Sequence, residues 1–215
     1  MDAIKQLLKA HAPVKWLFYG DSITHGALHT CGSRDYTEHF TERVRYELGR
    51  SMDVVIKTAI SGNKTRNLLE SFDWRVGQFK PHVVFIMIGM NDCSDKSGIT
   101  PQEFEKNLHT LAGRIGELGG KTVLQTTCPI IPGGAPDREP QFPVFMDVIR
   151  RVAADRRLPL VDHTQYWIQN AAKHYYWMSN TFHPNAYGHT AFAHLLFKAL
   201  DIFDPASPCC RLFVP

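Results

Sequence analysis

The stretch Val14–Thr24 reads VKWLFYGDSIT, an apolar run followed at once by small and polar residues. The run at residues 14–19 has the length and the aromatic content of a buried strand. Gly20, Asp21 and Ser22 then open a loop that leads toward a helix-like segment. A strand that passes through such a loop into a helix is the repeating unit of an α/β protein.

The same unit recurs along the chain. Apolar runs predict four further strands, at Val54–Ala59, His82–Ile88, Lys121–Thr127 and Leu158–Val161. Apolar residues spaced three and four apart predict helices at Tyr36–Leu48, Lys64–Gln78, Pro101–Leu118, Phe142–Arg156 and Tyr187–Asp201. Continuously apolar strands that alternate with helices indicate an α/β fold, a parallel five-stranded sheet covered on both faces. We expect one domain over residues 1–215.

Composition excludes several classes of protein. With 44% hydrophobic and 21% charged residues, the 215-residue chain can bury a core, which argues against disorder. The longest apolar run, Val83–Met90, is shorter than the roughly 20 residues of a membrane span, so we expect no membrane insertion. The net charge of +3 is dispersed, so nucleic acid is not an expected partner. Five scattered cysteines and an N-terminus without a signal-peptide pattern favour a cytoplasmic protein.

Ligands of parallel sheets lie at the carboxyl ends of the strands, in the loops that lead into the helices. These loops hold the polar and small residues of this chain: Gly20–Gly26, Ser61–Asn63, Gly89–Asp92, Cys128–Pro143 and, near the C-terminus, Phe182–Asn185. Pro129–Pro143 is long for such a connection, which favours a loop that shapes a substrate site.

Four short motifs in these loops resemble those of the SGNH hydrolases, also called the GDSL esterase/lipase family. They are Gly20-Asp21-Ser22-Ile23-Thr24, Ser61-Gly62, Gly89-Met90-Asn91-Asp92 and His183-Pro184-Asn185. Each motif is short, but all four occur in the family's order after successive strands. The resemblance implies a flavodoxin-like three-layer α/β/α sandwich, in agreement with the alternation of strands and helices.

The resemblance also implies roles for individual residues. Ser22 would attack an ester carbonyl, and His183 would act as its general base because imidazole titrates near neutral pH. The oxyanion would be bound by the backbone N–H groups of Ser22 and Gly62 and by the side-chain amide of Asn91. No cofactor and no metal are implied. His25, His29 and Cys31 share a loop, but they lack the spacing of a four-ligand metal site.

One position departs from the family pattern. The family has Asp three residues before the histidine, and this chain has Asn180. Asparagine can accept a hydrogen bond that orients the ring, but it supplies no negative charge. Three interpretations remain open: a working Ser–His pair aided by Asn180 or a backbone carbonyl, a carboxylate recruited from elsewhere, or a disabled enzyme.

The sequence therefore predicts an esterase that forms an acyl-enzyme on Ser22 and hydrolyses a small-molecule ester. Short-acyl esters, above all acetyl esters of carbohydrates or other polar alcohols, are the first expectation. Lysophospholipase or thioesterase activity is the alternative within the same chemistry. The alternative from another class of function is a binding module that kept the fold and lost turnover. It is suggested by Asn180, which stands where the family has Asp. The sequence does not predict the oligomeric state.

Overall fold

A computed structural model describes residues 1–215. The strands are, in chain order, β1 (Lys15–Gly20), β2 (Val54–Lys57), β3 (Val83–Met87), β4 (Lys121–Gln125) and β5 (Leu160–Val161). They form one sheet in the order β2-β1-β3-β4-β5, and every neighbouring pair is parallel. This is the flavodoxin-like strand order, so the predicted sheet is confirmed.

Helices cover the sheet on both sides. They are α1 (Asp2–Lys9), α2 (Ser22–His25), α3 (Tyr36–Thr41), α4 (Thr65–Glu70), α5 (Phe72–Arg75), α6 (Pro101–Glu117), α7 (Phe142–Asp155), α8 (His163–Gln169) and α9 (Ala186–Ala199). One layer contains α4, α6 and α7, in which α6 contacts both of the others. The other layer contains α3, α8 and α9, in which α9 contacts both of the others. The predicted three-layer sandwich is therefore confirmed. None of the helices combines the length and the hydropathy that a bilayer crossing requires.

Aromatic side chains form the centre of the core. Phe18 of β1 stacks on Phe85 of β3 with ring centroids 4.6 Å apart, and Phe40 meets Phe18 edge-on at 5.2 Å. Strands β1 and β3 are central, and their side chains are buried on both faces of the sheet, apart from Lys15 at the start of β1. Burial on both faces explains why these strands are continuously apolar rather than alternating.

The predicted helix at Lys64–Gln78 is wrong as a single element. The structure divides it into α4, α5 and a 3₁₀ turn at Gly77–Phe79. The break lies at Ser71, whose hydroxyl donates to the carbonyl of Asn67 at 2.6 Å and whose backbone leaves the helical region. A serine that bonds back to the preceding turn competes with the helical ladder, which the apolar spacing does not report.

Other boundaries differ less. The helix that begins at Tyr36 continues beyond Thr41 as a π-helical segment, Glu42–Glu47. Helices α1, α2 and α8 were not predicted. Helix α8 begins where Asp162 accepts the backbone N–H of Gln165 at 3.0 Å. The strands predicted for β2, β3 and β4 ran one or two residues too far at their carboxyl ends, because these residues already belong to the loops that follow the strands.

Candidate active site

Ser22 lies at the carboxyl end of β1, where the chain turns into α2. Gly20 is required just before it, since a β-carbon there would lie 2.1 Å from the carbonyl oxygen of Met87 on the neighbouring strand. Asp21 caps α2 by accepting the backbone N–H of Ile23 at 3.0 Å. Ser22 is thus the first residue of α2, a position whose backbone N–H has no partner within a helix.

The Ser22 hydroxyl lies 2.8 Å from Nε2 of His183. Both residues are 8% exposed, so the contact is largely shielded from water but reachable from the surface. The segment before α9 holds the histidine in place. Ser179 donates its backbone N–H to the carbonyl of His183 at 2.8 Å, and the Asn185 amide donates to the carbonyl of Met178 at 3.2 Å while its oxygen caps α9.

Asn180 orients the ring from its other side. Its Oδ1 accepts the backbone N–H groups of Phe182 and His183 at 3.1 and 2.9 Å, and it lies 3.0 Å from Nδ1 of His183. Two backbone donors identify the facing atom as the amide oxygen, which can only accept. Nδ1 must therefore carry the proton, and Nε2 is left as the acceptor for the Ser22 hydroxyl.

A second histidine packs against the first. The His29 ring stacks on the His183 ring with centroids 3.7 Å apart and planes 13° from parallel. Burial, with smaller contributions from nearby His29 and Arg138, lowers the pKa of His183 to about 4. Burial also lowers the pKa of His29. At neutral pH the His183 ring is accordingly uncharged and able to accept a proton.

Gly62 and Asn91 come together from two neighbouring loops and line one pocket. Gly62 has φ +81°, a left-handed conformation that favours glycine, and its backbone N–H has no acceptor within the protein. The Asn91 amide donates to the carbonyl of Asn63 at 3.0 Å. Asp92 adds a second tie between the loops, since its Oδ1 accepts the backbone N–H and the hydroxyl of Thr65 at 2.8 and 2.6 Å.

Two carboxyl groups are buried beside these residues. Burial raises the pKa of Asp21 to about 7, with the neighbouring Asp92 charge contributing, and burial raises the pKa of Asp92 to about 6. In each residue Oδ2 has no hydrogen-bond partner. Asp21 bonds within its own turn, whereas Asp92 bonds to a different loop.

The structure brings Ser22, His183 and Asn180 into one hydrogen-bonded line and places Gly62 and Asn91 in a common pocket. Two contacts were missed in the sequence. His29 stands out there only as one of several histidines, and Arg138 only as part of the long loop before α7. No spacing rule links either residue to His183, because their proximity arises from the return of distant segments to one edge of the sheet.

One group of possible metal ligands lies away from this site, on α6 and α7. The ligand atoms of Glu105, His109 and Asp155 lie within 4.8 Å of one another. Two of the three already have cationic partners, because Glu105 pairs with Arg151 at 2.8 Å and Arg156 donates to His109 at 2.8 Å. By contrast, His25 bonds to Ser61 and His29 stacks on His183, so the histidines of that loop face different partners.

Comparison with known proteins gives a family match. Residues 18–191 match the model of the GDSL-like lipase/acylhydrolase family. The matched range contains all four motifs of the candidate site. It starts within β1 and ends within α9.

Solved structures of similar fold agree. A lipase/acylhydrolase from Enterococcus faecalis superposes with a TM-score of 0.77 at 24% identity, covering 94% of this chain and 98% of that one. An acetylxylan esterase from Geobacillus stearothermophilus superposes with a TM-score of 0.71 at 23% identity, covering 87% of this chain and 94% of that one. At these identities the similarity establishes the fold.

A sequence relative is found in Mycoplasma pneumoniae. This uncharacterized protein is 33% identical over 108 residues, which is 49% of the present chain. The aligned region is 12% of the relative's own length, so the chain matches a small part of that protein.

Proposed function

The chain belongs to the GDSL-like lipase/acylhydrolase family, and from this premise we propose that it is a serine esterase acting through an acyl-enzyme on Ser22. The observation that carries the proposal is the 2.8 Å contact between the Ser22 hydroxyl and Nε2 of His183. A serine hydroxyl is a poor nucleophile at neutral pH, and a neutral imidazole at this distance is the base that activates it. The activity resides in one domain, residues 1–215.

The reaction has two halves. His183 Nε2 takes the hydroxyl proton as Ser22 Oγ attacks the ester carbonyl, and the imidazolium then gives that proton to the leaving alcohol. Water attacks the resulting acyl-enzyme with His183 again as base, which releases the acid and restores Ser22. No other reactant is needed.

Negative charge develops on the carbonyl oxygen in both halves. We assign its stabilisation to the backbone N–H groups of Ser22 and Gly62 and to the Asn91 amide. Two observations support this assignment: the Gly62 N–H has no protein acceptor, and the hydrogen bond to Asn63 fixes the Asn91 amide in one orientation. Donors that are held in place before the reaction need no reorganisation when the charge appears.

Asn180 is the orienting residue in this proposal. In the serine-protease template, the change from Asp to Asn costs about 10,000-fold because the amide selects the wrong tautomer. Here the two backbone donors fix the amide so that its oxygen faces Nδ1, which selects the useful tautomer. The remaining difference is the missing charge, which would have stabilised the imidazolium.

For the substrate we propose a short-acyl ester, first of all an acetyl ester of a carbohydrate or another polar alcohol. No side chain that lines the pocket beside Gly62 and Asn91 is apolar, which disfavours a long acyl chain. Similarity in fold to an acetylxylan esterase supports the same class. Rates on p-nitrophenyl esters of increasing acyl length test this choice, since a preference for long chains would favour a lysophospholipase or thioesterase instead.

We propose a cytoplasmic location, because the five cysteines are too few and too irregularly spaced for a disulfide framework. The rival of another class is a binding module without turnover, and the observation that favours it is the uncharged partner of His183.

The decisive experiment compares hydrolysis of p-nitrophenyl acetate by the wild-type protein, Ser22→Ala and, as a matched control, Ser51→Ala on the exposed surface. Ser22→Ala should lower kcat by about 10,000-fold or more, and the control should not. Mass spectrometry of the quenched wild-type reaction should find one acetyl group on the peptide that contains Ser22. Equal, slow rates for all three proteins would reject the esterase and leave the binding module.

A further inference from the structure

A polar pocket of about 400 Å³ opens beside Gly62 and Asn91. Neither Ser22 nor His183 lines it, so it lies on the side of the proposed oxyanion donors. Its charged side chains are three cations and one carboxylate: Lys64, Lys96, Arg138 and Asp137. The other lining residues are small or polar.

The carboxylate in this pocket is already paired. Asp137 accepts the Ser94 hydroxyl at 2.8 Å and forms an ion pair with Arg138 at 2.7 Å. The two lysines have no such partner. Lys64 reaches the carbonyl of Ser97 at 3.3 Å, and the Lys96 ammonium has no hydrogen-bond acceptor in the protein. The pocket therefore has unpaired positive charge.

Arg138 connects the pocket to the candidate catalytic residues. Its guanidinium lies 4.6 Å from the centroid of the Phe182 ring, directly before His183 in the chain, and its Nε donates to the carbonyl of Met90 at 3.2 Å, directly before Asn91. The same guanidinium helps to lower the pKa of His183. A group bound in the pocket would thus lie close to the reacting ester.

We propose that this pocket binds an anionic group of the ester substrate, held by Lys64, Lys96 and Arg138. The inference rests on the proposed esterase function and narrows its substrate class to esters that carry a negative charge near the ester bond. The two unpaired lysines attract such a group from solution, and Arg138, although paired with Asp137, can donate a further hydrogen bond to it. A neutral acyl chain gains nothing there, since the pocket offers it no apolar surface to bury.

Two pairs of esters test the proposal and tell on which side of the ester bond the charge lies. For the acyl side, the monoanionic p-nitrophenyl hemisuccinate is compared with its neutral methyl ester. For the alcohol side, p-acetoxybenzoate is compared with its methyl ester. The measured quantity is the ratio of kcat/KM for the anionic ester to kcat/KM for its neutral partner, so a general loss of activity cancels.

For the wild-type protein, the ratio of kcat/KM for the anionic ester to that for the neutral ester should be about ten in at least one pair. This is the effect expected of a few partly exposed ion pairs. Lys64→Gln combined with Lys96→Gln, and Lys96→Gln alone, should bring that ratio toward one. Lys106→Gln, on the distant surface of α6, is the control that should leave it unchanged. Added salt should also lower the wild-type ratio, because it screens exposed charges.

Each other outcome rejects the pocket as an anion site. Hydrolysis of the neutral esters without preference for either anionic partner would overturn this inference and leave the esterase intact. If both lysine variants still preferred the anionic ester, its charged group would have to bind outside this pocket. Absence of any Ser22-dependent hydrolysis would reject the inference together with the proposed function.

Discussion

Two sets of polar groups, buried except for the exposed Asn180, meet at the candidate site and differ in how their atoms are paired. In the histidine line (Ser22, His183 and Asn180), both ring nitrogens of His183 have a hydrogen-bond partner. In the aspartate pair (Asp21 and Asp92), each carboxyl has one bonded oxygen and one without a partner. Burial drives both sets toward their neutral forms, since it lowers the pKa of His183 to about 4 and raises that of Asp21 to about 7.

Hydrogen-bond geometry rather than charge orients the histidine ring. Asp21 adjoins the nucleophile in the chain, but its carboxyl accepts the Ile23 N–H, and the Asp92 carboxyl accepts the Thr65 N–H. Neither carboxyl is bonded to His183, whose Nδ1 faces Asn180. Of the three interpretations of Asn180 left open by the sequence, a recruited carboxylate is therefore not supported by the contacts. The ring is held instead by a neutral amide whose own orientation is fixed by backbone donors.

The largest effect is expected from a substitution of Asn180, at the end of the histidine line. Asn180→Ala removes the acceptor of the Nδ1 proton and of two backbone N–H groups, so the ring loses its tautomer preference. We expect kcat on p-nitrophenyl acetate to fall by about 1,000- to 10,000-fold. Asn170→Ala, at the end of α8, is the control. A loss below about tenfold would show that a backbone carbonyl orients the ring instead.

The next effect concerns the oxyanion donors that flank the aspartate pair. Asn91→Ala should lower kcat by about 100- to 1,000-fold, because the lost amide acts on charge that exists only in the transition state. KM should change little by comparison. If the variant raised KM and left kcat unchanged, Asn91 would hold substrate rather than stabilise the oxyanion.

Asn180→Asp adds a negative charge to the histidine line and keeps the oxygen that accepts the Nδ1 proton. A carboxylate beside the ring should raise the pKa of His183 by about one to three units. The acid limb of the kcat/KM profile should therefore move up from about pH 4. Activity should fall near pH 5, where the ring becomes protonated, and rise by about tenfold near pH 8, where the imidazolium intermediate is stabilised.

The size of the increase in kcat/KM for Asn180→Asp near pH 8 also distinguishes an esterase from a binding module. An increase near 10,000-fold from a negligible baseline would mean that the native chain lacks a working triad, which favours the binding module. An unmoved acid limb would mean that His183 is not the group that titrates.

The smallest effect concerns stability and the aspartate pair. The pKa of Asp21 is raised to about 7 in the folded protein, so folding favours its protonated form. The free energy of unfolding should therefore be highest below about pH 4 and decrease as pH rises through 7, as far as this group contributes. Asp21→Asn keeps the bond to Ile23 and removes the ionisation, which should stabilise the protein above pH 7 by a few kcal/mol.

Denaturant titrations at several pH values measure this difference, with Asp155→Asn at the exposed end of α7 as the control. A difference between Asp21→Asn and the wild-type protein that stays constant from pH 4 to pH 8 would show that Asp21 titrates normally.

Individual elements show how much of the structure can be predicted from sequence patterns. Strands β1 and β3 were predicted in place because they are buried on both faces and hence continuously apolar, a property that each stretch shows by itself. The family was likewise predicted from four short motifs, and the match over residues 18–191 confirms it. The helix predicted at Lys64–Gln78 failed because apolar spacing does not report the hydrogen bond of Ser71 to Asn67.

The sequence by itself determined the strand–helix alternation, because this follows from local periodicity. Four motifs a few residues long carry the family resemblance, and that resemblance implied the flavodoxin-like sheet and the residues proposed for catalysis. Only the tertiary structure decided which amide atom faces His183, that His29 stacks on it, and that Lys64, Lys96 and Arg138 surround one pocket. Those relations join segments up to about 160 residues apart in the chain. They depend on distances between side chains at one edge of the sheet, and no local pattern records such distances.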